Sequence, residues 1–96
     1  MDLAAFKASL ANKAPPRGAG RALKALWHLA NGDWDKAHRL AQEQADKDGA
    51  WVHAHLHRSR GEHGNAGGWY ARAGKAASKA PLDREWAEIV SALLER

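Results

Sequence analysis

The sequence predicts a single all-α domain of five or six short helices. Three observations carry this. Ala is frequent and β-branched residues are confined to Val52, Ile89 and Val90, a balance that favours helix over strand. Apolar residues recur at i, i+3, i+4 and i+7 in segment after segment, the period of an amphipathic helix. Gly-marked breaks separate those segments at short intervals.

The chain has 96 residues, the size of one domain with a modest core. Asp2 is placed to cap a first helix bearing Leu3, Phe6 and Leu10. KAPPRGAG (13–20) then breaks the chain. A second helix is expected over 21–30, with Leu23, Leu26, Trp27 and Ala30 on one stripe, ended by Asn31-Gly32. Asp33 caps a third over 33–45, with Trp34, Ala37, His38, Leu40 and Ala41 inward and Lys47-Asp48-Gly49 closing it. A fourth spans 50–59 and ends at Gly61; a fifth spans 62–76 with Ala66, Trp69, Tyr70 and Ala73 inward. Gly64, Gly67 and Gly68 weaken that helix by up to about 1 kcal/mol each unless they permit close packing. After the linker SKAP, a last helix over 82–95 carries Trp86, Ile89, Val90, Leu93 and Leu94, an apolar face that needs a cover from its own chain or from a second copy. The organisation is thus one domain: helix and Pro/Gly linker (1–18), two helical hairpins (19–77) and an amphipathic helix (78–96).

Composition narrows the function. Fifteen Lys and Arg against eleven Asp and Glu give a net charge of +4, with the signs mixed along the chain rather than clustered as in dedicated nucleic-acid binders. Cys is absent, which excludes disulfides and thiolate metal ligation. The N-terminus has an acid at position 2 and Lys7 among its apolar residues, unlike a signal peptide. No apolar stretch nears the roughly 18 residues of a membrane span. These features lead us to expect a cytoplasmic protein without a membrane partner. No nucleophile–base pair, phosphate loop or paired carboxylate is visible, so the sequence assigns no catalytic residue and no cofactor.

The stretch WVHAHLHR (51–58) is the densest in chemistry. In a helix His53 and His57 are neighbours and His55 points away. An i, i+4 pair suits a transition metal, but the Glu of HExxH is missing and a third ligand is required. His28, His53 and His57 form the set the sequence offers; the alternative is histidines that pack helices together. Trp27, Trp69 and Trp86 fall on apolar stripes and are assigned to the core, whereas Trp34 and Trp51 open helices and suit a staple or a groove. Arg58, Arg60, Arg72 and Lys75 form either a basic patch or solvated surface charge. Asn65, Tyr70 and Arg72, with His57, either make a polar pocket or lace the fourth and fifth helices together.

An internal similarity runs through the middle of the chain. At an offset of 29 residues, Ala25 matches Ala54, His28 matches His57, Gly32 matches Gly61, Asp33 matches Glu62 and Ala37 matches Ala66. In NGDWDKA (31–37) and RGEHGNA (60–66), over about 21–75, the chain resembles tetratricopeptide repeats, whose period is 34. AWVHAHLHRSRGEHGNAGGWYARAG (50–74) also resembles a group of small uncharacterised bacterial proteins. The first resemblance implies two hairpins flanked by cap helices, and a concave face that binds a protein or peptide. The contact residues would be Trp27, His28, His53, His57, Arg58, Tyr70 and Arg72. The leading expectation is therefore a small protein-interaction module, whose partner is a protein, a peptide or a second copy of the chain. A histidine metal site and a nucleic-acid-binding domain are the alternatives.

Overall fold

The computed structural model describes all 96 residues and contains six helices and no strand. These are α1 (Leu3–Ser9), α2 (Arg21–Ala30), α3 (Trp34–Glu43), α4 (Lys47–Ser59), α5 (His63–Ala73) and α6 (Leu82–Leu94). None is long and apolar enough to cross a membrane.

Three aspartates start helices as capping chemistry demands. Asp2, Asp33 and Asp46 accept from the amides of Ala5, Lys36 and Gly49 at 2.9, 3.1 and 2.8 Å. Both hairpin turns, α2 to α3 and α4 to α5, use one geometry. Gly32 and Gly61 take φ of 85° and 74°. The amide just after each glycine then donates back, Asp33 to the His28 carbonyl at 2.9 Å and Glu62 to the His57 carbonyl at 3.0 Å. A side chain at either Gly would strain the left-handed backbone.

Two expected boundaries move. Lys47-Asp48-Gly49 does not close the third helix; it forms the first turn of α4, because Asp46 is the cap. The fifth helix stops at Ala73, where Gly74 turns left-handed at φ 70°. Gly64, Gly67 and Gly68 face open space and permit no close packing. Gly49 is the glycine that does. A Cβ there would lie 1.8 Å from the Gln44 carbonyl oxygen. The same Gln44 accepts the Ala22 amide at 2.8 Å and so supplies the cap that Gly20 cannot give α2.

Helix α4 is the axis of the molecule. It touches α2, α3, α5 and α6, and residues 49–57 are all buried. Helix α6 lays Trp86, Ile89, Val90 and Leu93 against α1, α2 and α4. Its apolar face is thus covered within the chain, and no second copy is needed for that purpose. Three indole N–H groups cross between helices to backbone carbonyls: Trp27 to Ser9 at 3.3 Å, Trp34 to Leu56 at 2.9 Å and Trp86 to Leu26 at 2.8 Å. A buried Trp needs such a partner, and each bond also fixes the rotation of one helix against another.

Candidate metal centre

Histidine chemistry gathers on two sides of α4. On the first side, His53 and His57 stack one turn apart, with ring centroids 4.9 Å apart. His38 comes in from α3 edge-on to both, at 4.6 and 5.3 Å. One nitrogen from each of the three rings lies within 4.8 Å of the others. The closest pair is His53 Nε2 and His38 Nε2, 2.9 Å apart. Three nitrogens at about 2.0–2.1 Å from a tetrahedral ion would stand about 3.3 Å apart. The observed spacings, 2.9 Å for the closest pair and at most 4.8 Å, lie on either side of that value.

The surroundings suit such a site. His57 Nδ1 lies 3.0 Å from Glu62 Oε1. The carboxylate accepts, so Nδ1 carries the proton and Nε2 offers its lone pair. This is the carboxylate–imidazole relation that orients metal ligands. The bond to His57 also holds the Glu62 carboxyl below its usual range. The Asn65 amide approaches the same His57 nitrogen at 3.5 Å. His53 Nδ1 is buried without a hydrogen-bond partner, in a ring only 2 % exposed. Trp34 stacks on His38 with centroids 4.8 Å apart, and Trp69 on His53 at 3.7 Å. Arg60 lies over the Trp34 ring at 3.6 Å and Arg72 over the Trp69 ring at 4.7 Å.

Burial, the charges His38 and His57 would carry, and Arg72 hold His53 down at about 4. Burial, then His57 and Arg60, also lower His38. Neutral imidazole is the state that ligates a metal. It also has a consequence for the metal-free protein. Folded His53 stays neutral until about pH 4, whereas the unfolded residue charges near pH 6.5. The unfolded chain therefore binds the extra proton, and stability should fall as pH drops from about 6.5 towards 4. The total loss should be about 3 kcal/mol, measurable by urea unfolding across that window.

On the opposite side of α4 lies a second polar network. His55 Nδ1 meets Glu85 Oε1 at 2.7 Å, and Arg58 Nη1 donates to the same oxygen at 3.1 Å. Tyr70 donates its hydroxyl to Glu85 Oε2, and Arg58 also donates to the Ala80 carbonyl. Glu85 is 2 % exposed. Burial alone would raise its pKa, but His55, Tyr70 and Arg58 together hold it below the usual carboxylate range. Burial and the bond to Glu85 push the Tyr70 hydroxyl well above its ordinary value. The network joins α4, α5, α6 and the linker before α6.

The sequence-derived site residues separate accordingly. His53 and His57 sit together as the helical spacing requires. His28 does not join them; it is half-buried on α2, edge-on to Trp27 with centroids 5.0 Å apart. The histidine that takes its place is His38. Its signal was its position one turn after Trp34, on the inward face of α3, a helix packed against α4. Trp27 and Tyr70 are 4 % and 2 % exposed and belong to the core rather than to an open contact face. Arg58 is held by Glu85, while Arg72 remains exposed. Sequence reasoning missed Glu85, although it falls on the apolar stripe of α6 four residues before Ile89, where a charge demands a buried partner. No family model, curated protein or solved structure matches this chain.

Proposed function

We propose that the protein binds a first-row transition-metal ion through His38, His53 and the Nε2 of His57. The observation that carries this reading is the convergence of three imidazoles from two helices, one of them oriented by a carboxylate. An all-imidazole set suits zinc, copper or nickel rather than magnesium or calcium. Glu62 acts on the ion through His57. The peptide-binding reading has less support, since Trp27 and Tyr70 lie in the core and Met1 and Leu82 are the only exposed large apolar side chains.

Thermal unfolding with and without Zn²⁺, Ni²⁺ or Cu²⁺ tests the proposal. Free ion at about 100 times its Kd adds about 2.7 kcal/mol, a rise in Tm on the order of 10 °C for a domain this size. His38→Ala should abolish the rise and His28→Ala should keep it. Glu62 is half-exposed, so Glu62→Gln should fold normally yet bind the ion about 10–100-fold more weakly. An absent rise, or one that persists in His38→Ala, would overturn the reading.

A further inference from the structure

We propose that the metal centre takes a small oxyanion as its fourth ligand, drawn there by Arg60 and Arg72. This rests on the metal reading above and extends it to the class of molecule that the site recognises.

The protein supplies three donors and no more. The group within mutual reach is His38, His53 and His57, and no carboxylate joins it. Glu62, the nearest acid, is engaged with His57 Nδ1. Zinc with three protein ligands keeps a fourth position for an exogenous molecule, and the charge around the site decides what that molecule is.

Two layered stacks bound the centre. In one, Arg60 lies on Trp34, which lies on His38. In the other, Arg72 lies on Trp69, which lies on His53. Cation–π attraction holds each guanidinium on the outer face of an indole, one ring away from a histidine, close enough to act on the centre through its charge. Both guanidiniums are exposed, and neither takes part in an ion pair. Arg58, by contrast, spends its charge on Glu85. Around a bound divalent ion, Arg60, Arg72 and the ion itself would set four positive charges against two carboxylates, those of Glu62 and Asp35. Water in the fourth position leaves that excess in place; an anion reduces it. The half-buried His38 is the side from which a small molecule reaches the ion.

The stacked indoles bear on size. Trp34 and Trp69 cover His38 and His53 face-on, which favours a compact oxyanion such as a carboxylate, bicarbonate or phosphate over a bulky one.

Cobalt(II) gives the test, because its visible spectrum reports on coordination. Co²⁺-loaded protein is titrated with azide as the reporter anion, and inorganic phosphate is then added as competitor. Azide should change the spectrum, and phosphate should reverse that change. In Arg60→Gln/Arg72→Gln the Co²⁺ spectrum without azide should be unchanged, while azide and phosphate bind at least tenfold more weakly. A Co²⁺ spectrum indifferent to azide, azide that phosphate does not displace, or equal anion affinity in the double variant would overturn this inference alone. Absence of any Co²⁺ spectrum that depends on His38 would overturn the metal reading and this inference with it.

Discussion

Replacing Glu85 with Ala should cost about 3–5 kcal/mol, the penalty for removing one partner of a buried ion pair. The size follows from what is left behind. His55, Arg58 and Tyr70 all direct donors at this one carboxylate, and water cannot easily replace it in a site that is 2 % exposed. Small domains have roughly 5–15 kcal/mol in total, so the variant should be largely or partly unfolded at 37 °C. Glu85→Gln keeps the shape and an acceptor oxygen but loses the charge. It should cost less, about 1.5–3 kcal/mol, the range for bonds to charged groups. Urea unfolding of the metal-free proteins measures both. Because folded Glu85 titrates below its usual range, its contribution is present above the unfolded pKa of about 4.3 and is lost only as pH falls through the lower folded value. Acid sensitivity between about pH 6.5 and 4 should therefore belong to the lowered histidines, His53 above all and His38 with it, and survive in Glu85→Gln.

Gly49→Ala should also destabilise strongly, against the usual sign. Inside a helix, Gly-to-Ala normally stabilises by about 0.8–1 kcal/mol. At position 49 the added carbon would meet the Gln44 backbone oxygen at 1.8 Å. A backbone carbonyl cannot rotate away as a side chain can, so the start of α4 must move from the end of α3. Overpacking of this kind costs about 1–3 kcal/mol or more, and the Gln44 bond to Ala22 would be strained with it. Gly67→Ala is the internal control. It points into open space and should raise stability by about 0.5–1 kcal/mol. Equal effects of the two substitutions would show that the α3–α4 junction is looser than described.

The fold was legible where local chemistry determines it. Apolar period, capping Asp and turn Gly pointed to five or six helices, of which the structure has six, and the i, i+4 rule separated His55 from His53 and His57. The α3–α4 boundary was not legible, because Lys47-Asp48-Gly49 reads as a terminator when the cap at Asp46 goes unnoticed. Gly there answers a close approach from Gln44, which is a tertiary fact. The third histidine of the cluster was hidden for a similar reason. The 29-residue correspondence pairs His28 with His57, but spatial neighbours follow helix packing, and α3 rather than α2 presents its histidine to that face of α4. Glu85 was readable in principle as a charge on a buried stripe. Its three partners come from α4 and α5, and only the packed structure brings them together.

The three open glycines of α5 bear on kinetics. This helix packs its backbone on α4 alone, lacks a side-chain cap, and holds to α6 through the Tyr70 hydroxyl. Such a segment opens at lower free energy than the central helix, and its amides should exchange with solvent before those of α4. Trp69 travels with it and uncovers His53. Ion capture and release would then proceed through brief local fraying of α5, leaving the rest of the helical packing intact.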